Sequence, residues 1–172
     1  VHDADAIGIA VEADAQLGRL FDGVAALRLG SVAYMVVSEY AITDVSRVVY
    51  PNRVLREAGM VAIEERDERE LLNVRQSKAF AVVDHQFAHI YVKAPTDIDG
   101  VAGLFEGVDG IAEALYGDAR AKHHIDHPRS GEVVLICEPD TWLAYYWWRD
   151  GAKAPPFART VDIHAKPGYD PV

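Results

Sequence analysis

Four short stretches of this chain set histidine beside a carboxylate: His2-Asp3-Ala4-Asp5, Asp84-His85-Gln86-Phe87-Ala88-His89, His123-His124-Ile125-Asp126-His127 and Asp162-Ile163-His164. Ring nitrogens and carboxylate oxygens are the donor set of hydrolytic zinc and manganese sites. A fifth candidate is Glu39, at the end of an apolar run. A charge there is costly unless it meets a metal, a cation or hydrogen-bond donors; the plainer reading is a solvated strand end. On a strand, His85 and His89 are four apart and face the same side, as a metal-binding pair would. A turn histidine followed by a hydrogen-bonded strand histidine is the blander account, and the preferred one. His123, His124 and His127 precede a strand in a Pro-containing loop and match no metal-site spacing, so they read as a polar loop. His164 lies between Pro156 and the turn Pro167-Gly168-Tyr169-Asp170-Pro171. That setting suits a metal ligand and a structural histidine alike. The cluster at residues 2–5 sits at a terminus and means little alone.

The motifs of several common chemistries are absent. There is no Gly-rich phosphate loop, Cys-x-x-Cys, His-Glu-x-x-His or Gly-x-Ser-x-Gly. The 172 residues carry 17 Lys+Arg against 27 Asp+Glu, a formal charge of −10. That balance argues against a nucleic-acid clamp and against docking on anionic lipid. It leaves phosphate chemistry open, because bound metal ions invert the local field. No apolar run approaches the roughly 20 residues of a membrane span. The one cysteine, Cys137, falls in the run Val133 to Cys137 and reads as a buried strand residue. A lone thiol fits a reducing compartment, so a cytoplasmic location is expected. The chain opens on Val1 and stops at Val172 without a cap at either end, and it reads as a piece of a longer protein.

The elements that must position these residues follow from periodicity. Leu17, Leu20, Phe21, Val24 and Leu27 recur at helical spacing, with Gly30 closing the helix. Ser31 to Ser38 (SVAYMVVS) is nearly unbroken in apolar character, which predicts a strand covered on both faces and ending at Glu39. Ligands of open α/β sheets bind beyond such carboxyl ends. Pro51 to Ala58 reads as a short helix with Gly59 after its end, followed by a strand from Met60 to Glu64. Residues 65–77 read as a charged surface turn. Strands are predicted at Ala79 to Val83 and Ala88 to Lys93, and a helix at Ile98 to Glu106, where Val101, Leu104 and Phe105 share a face. Residues 110–116 fit helix or strand. Glu132 to Glu138 and Thr141 to Trp148 are predicted as a hairpin through Pro139-Asp140, with the aromatics of 142–148 read as core and hairpin faces. The tail 149–172 holds four of the eight prolines and is expected to be irregular but packed.

Four segments carry a family resemblance: VVSEYAITDVSRVVYPNRVLREAG, AFAVVDHQFAHIYV, HPRSGEVVLICEPDTWLAYYWW and ARTVDIHAKPGYDP. In this order they resemble the carboxyl-terminal half of the type I phosphodiesterase/nucleotide pyrophosphatase branch of the alkaline phosphatase superfamily. The resemblance covers most of residues 31–172. It implies two divalent metal ions, zinc foremost and manganese next, holding a phosphate ester while a Thr or Ser attacks phosphorus. Ser38-Glu39-Tyr40-Ala41 falls where the family has Ser-Asp-His-Gly, which makes Glu39 a ligand of the first metal. Tyr40 then stands in place of a ligand histidine. His164, ahead of Gly168-Tyr169-Asp170, matches the histidine of the second metal, and Asp3 matches its aspartate, with Ile7 where a companion histidine belongs. Asp84, His85 and His89 belong to a stretch typical of closer relatives and take no role from the general pattern, beyond possible ligands or their supports.

The family's first half, which carries the nucleophile, has no counterpart here, and neither Thr43 nor Thr141 sits in a matching context. No catalytic nucleophile is therefore assigned. The expected fold is α/β, a mixed sheet with flanking helices, divided into an alkaline-phosphatase-like core portion (1–78), a smaller α+β, cap-like portion (79–148) and a return segment (149–172) carrying His164. The expected function is a metal-dependent phosphoesterase, hydrolysing a phosphodiester or pyrophosphate bond in a small, nucleotide-like substrate, of which this chain holds part of the site. The alternative is a degenerate α/β binding domain without the nucleophile half and with no metal of its own.

Overall fold

The computed structural model describes residues 4–37 and 43–159. The chain divides into two compact units, Val1–Ala41 and Ile42–Val172. In the first, helix α1 runs Ala4–Ala26. It starts well before its leucine stripe, because alanine is the best helix former and recurs through its first half. Turn bonds from Leu27 N–H to the Val24 carbonyl and from Arg28 N–H to Ala25 close it, and Gly30 takes φ +86 beyond. Residues 32–37 form no strand, contrary to the sequence expectation. Met35, Val36 and Val37 are 85%, 76% and 78% exposed, while the Tyr34 ring rests on Phe21 with centroids 4.5 Å apart. The run has a strand's composition, but the described part of its unit contains no second strand to pair with it.

The second unit is built from short elements in the order β1 (Arg47–Val49), α2 (Pro51–Glu57), β2 (Ile63–Arg66), β3 (Arg69–Leu72), β4 (Ala79–Asp84), β5 (Phe87–Val92), α3 (Ile98–Gly103), β6 (Ile111–Tyr116), β7 (Val133–Cys137) and β8 (Thr141–Leu143). Its main sheet is antiparallel with strand order β4-β5-β7-β6. One face of it, with Ala81, Ala88, Ile90, Val133, Leu135 and Cys137, is buried under Leu55 of α2 and Val101 and Phe105 beside α3. The result is a mixed α/β fold.

Helix α2 begins at Pro51, whose missing N–H costs nothing in a first turn. Gly59 follows it at φ +71, a conformation that favours glycine. The small side chains of β4 let α2 come close, and Asn52 uses that approach. Its buried amide donates to the carbonyls of Ala81 (3.0 Å) and Tyr145 (3.1 Å) and accepts from Ala81 N–H (2.8 Å). A helix side chain thus completes the backbone bonding of an edge strand.

Three expectations are corrected. Residues 65–77 are not simply a surface turn, because β3 lies within them. Asp67 and Glu68, at φ 50 and 59, make a two-residue turn between β2 and β3, with Arg66 opposite Arg69. Most of the charges there are exposed, but Glu70 is buried against Arg56, and the exposed Arg69 donates to the carbonyl of Ala152. The strand expected at 60–64 lies instead at Ile63–Arg66, since the Met60 carbonyl is taken by the N–H groups of Lys78 and Ala79. Finally, β7 and β8 are not a hairpin. β8 pairs in parallel with β1, Arg47 opposite Thr141 and Val49 opposite Leu143. The turn before it is drawn away because the Asp140 carbonyl accepts from both Ser46 and Arg47 N–H.

Beyond β8 the chain leaves strand geometry and packs its rings together. Tyr146 and Trp148 stack at 4.4 Å, and Trp147 meets Trp148 edge-on at 5.2 Å. Trp147 and Trp148 are buried with Ala154, whereas Trp142 and Tyr145 are each 38% exposed. The tail is irregular and packed as far as residue 159, in two short 3-10 turns, Gly151–Lys153 and Pro156–Arg159. The ambiguous residues 110–116 are strand β6.

Candidate functional site

Asp3, Glu39, Tyr40 and His164 lie outside the described residues. Asp84, His85 and His89 lie at the β4–β5 corner. Asp84 is the last residue of β4, opposite Phe87 in the ladder. His85 is in the two-residue turn at φ 33, a left-handed conformation that breaks strand alternation. His85 and His89 therefore do not share one strand face. The His85 ring lies 4.6 Å from Trp142, edge to face, with Nε2 3.5 Å from Asp84 Oδ1. Its carbonyl accepts from Leu143 N–H at 2.7 Å. Gln86 completes the corner by donating from its side chain to the Pro139 carbonyl (2.6 Å) while its own carbonyl accepts from Cys137 N–H (3.1 Å). The corner is thus tied by backbone bonds to β8 at Leu143 and to β7 at Cys137, with Asp84 and His85 at its exposed tip.

His89 is half-buried on β5. Its Nδ1 accepts from Gly131 N–H at 3.2 Å, which requires a neutral ring on that side. Burial, and then the positive charge of Arg120, hold its pKa below the ordinary imidazole value. Arg120 in turn donates to the Gly131 carbonyl at 2.8 Å. Glycine is required at 131, since a Cβ there would meet the Ile90 carbonyl oxygen at 2.6 Å.

The third histidine cluster is dispersed. His123 Nε2 lies 3.2 Å from Glu113, which also takes Lys122 at 2.7 Å, and His127 Nδ1 accepts from Arg129 N–H. Lys122, and then His123, lower the Glu113 pKa. Cys137 is buried, with Sγ donating to the carbonyls of Gln86 (3.0 Å) and Thr141 (3.1 Å), and burial pushes its pKa up. Such a thiol is inert.

Two charged groupings went unmarked in the sequence. Arg47 bridges Asp140 and Asp109, each at 2.5 Å, and Ser46 Oγ donates to the second Asp140 oxygen at 2.8 Å. The bond from Arg47, then that from Ser46, lower the Asp140 pKa. This brace ties the start of β1, five residues past Ile42, to the turn before β8. Arg56 and Glu70 form a bidentate pair, at 2.5 and 3.1 Å, on which Trp147 closes by donating Nε1–H to the Glu70 carbonyl. Arg56 lowers the Glu70 pKa, although burial opposes it. The partners lie 14 or more residues apart in sequence, and no local pattern points to them.

Among the described residues, no group of three or more His, Cys, Asp or Glu is placed to hold a metal ion.

The architecture is that of a mixed α/β domain whose histidine and carboxylate candidates come from distant segments. The family model for type I phosphodiesterase/nucleotide pyrophosphatase matches residues 1–170, and the chain belongs to that family. Among solved structures, it is similar to phosphonoacetate hydrolase from Sinorhizobium meliloti 1021, in its complexes with phosphonoacetate and with phosphonoformate. For each, identity is 15% and TM-score 0.40, with 58% of this chain and 24% of the hydrolase chain covered. This chain thus matches about a quarter of that hydrolase's length. No curated protein matches it.

Proposed function

We propose that this chain is part of a metal-dependent phosphoesterase that hydrolyses a phosphodiester or pyrophosphate bond in a small, nucleotide-like substrate. The observation carrying this reading is the family match across residues 1–170. We assign Glu39 to the first metal, and His164 with Asp3 to the second. The donor types suit zinc, and manganese next. When bound, such ions polarise the phosphoryl oxygens and lower the pKa of the attacking group. The nucleophile comes from outside the segments recognised here. In this scheme residues 79–148 form a cap-like portion, 149–172 return to the core with His164, and the enzyme works in the cytoplasm. Among the described residues, no helix is long and apolar enough to cross a membrane.

The test is elemental analysis of the untagged chain after dialysis against zinc and manganese, beside Glu39→Gln and His164→Ala, with turnover of bis(p-nitrophenyl) phosphate by the intact protein. Loss of metal and of most activity in both variants at unchanged melting supports the assignment. Unchanged metal content and rate in both refutes it. Tyr40 and Ile7, standing where the family has histidines, favour a second reading, a degenerate domain that binds without turnover. That reading predicts no turnover in the intact wild type.

A further inference from the structure

Antiparallel strands with one wet face ordinarily set polar side chains toward the water. The main sheet departs from that on the face turned away from α2 and α3. Along β4 this face carries Phe80, Val82 and Asp84, and along β5 it carries Phe87, His89 and Tyr91. Phe80 stacks on Tyr91 at 5.5 Å, and the His89 ring lies 5.5 Å from Phe87 and 6.4 Å from Tyr91, so the rings form one strip. Val82 is 52% and Phe87 41% exposed. On the β6–β7 half of the same face, Leu115 and Val134 are buried. Residues 129–131 are held to the face, with Tyr91 Oη donating to the Arg129 carbonyl and His89 Nδ1 accepting from Gly131 N–H. The β4–β5 half keeps apolar groups in water, the mark of an interaction surface.

The charges on this half are ordered along the strands. Lys78 and Lys93 stand at one end, just beyond the pair Ala79 and Val92, and Asp84 stands at the other. Lys93 N–H donates to the Lys78 carbonyl at 2.8 Å, which holds the two lysines in ladder register. Arg75 and Glu132, which line the cleft at the lysine end, balance each other in charge. The half-face is therefore positive, then apolar, then negative. A surface whose charge reverses along its length is complementary to itself when turned end for end. In a chain of net charge −10, most of the surface repels a second copy, and this strip is where opposite charges meet.

We propose that the outer face of β4 and β5 binds the same face of a second copy of this chain. The two hairpins lie antiparallel across a two-fold axis, with the Asp84 end of each copy over the lysine end of the other. At about 3.3 Å per residue and about 4.8 Å between strands, the strip measures about 20 by 10 Å. That is small beside the roughly 800 Å² per partner of a standard interface, so the dimer is weak and forms with concentration.

The experiment is sedimentation velocity of the full chain over a concentration series, in excess chelator so that no metal bridges two copies. Self-association with a Kd on the order of 100 µM is expected. Asp84→Lys or Lys78→Glu alone weakens it about tenfold, because either one sets like charges together at both ends. Mixing the two variants restores the wild-type affinity, since each contact of the mixed dimer again pairs opposite charges. Val82→Lys also weakens it about tenfold, by placing a charge in the apolar centre. All three positions are exposed, so melting is unchanged. Amide shifts on dilution are expected at residues 78–84 and 87–93. A chain still monomeric at about 1 mM overturns the proposal and leaves this face to a different partner. Association that neither charge variant weakens, that mixing does not rescue, or whose amide shifts fall only in residues 7–37 overturns it as well.

Discussion

Replacing Asn52 with alanine removes one side chain and orphans three backbone groups. Ala81 N–H loses its acceptor at 2.8 Å, and the carbonyls of Ala81 and Tyr145 lose donors at 3.0 and 3.1 Å. The Ala81 groups are buried on the open side of edge strand β4, so water does not reach them without moving α2. A buried polar group left unpaired costs about 1–3 kcal/mol. Two such groups, with a smaller share for the part-buried Tyr145 carbonyl, give about 3–5 kcal/mol. That is a large fraction of the about 5–15 kcal/mol that holds a typical domain. The assay is equilibrium urea unfolding followed by far-UV circular dichroism, with equal slopes confirming that the stability itself has changed. Hydrogen exchange adds a local readout, since the Ala81 amide loses protection ahead of Ile90 in the same sheet. Asn52→Asp is a useful companion, because it keeps an acceptor for Ala81 N–H while setting a carboxylate against two carbonyls. A loss below about 1 kcal/mol for Asn52→Ala, with Ala81 still protected, refutes the claim that this side chain closes the sheet edge.

Two of the pKa shifts give further expectations. Glu70 is held below its ordinary value by Arg56, so its contribution is complete above about pH 4.3 and is lost as pH falls through the folded value. Glu70→Gln, by breaking a buried pair, costs about 3 kcal/mol at neutral pH and flattens the acid limb of the stability curve; an unchanged acid limb in urea melts counts against it. His89 is also lowered, by burial and by Arg120, so the unfolded chain takes its proton first. Wild-type stability therefore falls as pH drops below about 6.5, and His89→Gln lowers stability at neutral pH while removing that slope. Loss of a metal equivalent at unchanged melting in that variant would instead make His89 a ligand.

Local chemistry was legible in the sequence, and long-range pairing was not. Pro51 and Gly59 bracket α2, the alternation of Ala79–Val92 gives β4 and β5, and Val101 with Phe105 gives the buried face at α3. Each depends on neighbours within a few residues. The hairpin expected at 139–140 failed because Asp140 is claimed by Ser46 and Arg47, more than 90 residues away. Charge misled at 65–77 in one respect, because Glu70 lies buried in strand β3 against Arg56. Among the candidate site residues, the Asp84–His89 cluster stood out by composition. Its geometry depends on one backbone angle, the positive φ of His85, which no side-chain pattern announces.

The two apolar runs make the same point about strands. Val133 to Cys137 and Ser31 to Ser38 are both apolar runs, and both read as strands, the second as one covered on two faces. The first has β5 on one side and β6 on the other, so its backbone is paired and its side chains are buried. The described part of the second exposes Met35, Val36 and Val37. Composition states that a segment will be extended and will need cover, because β-branched residues favour the pleat and apolar surface avoids water. Pairing is supplied by another segment.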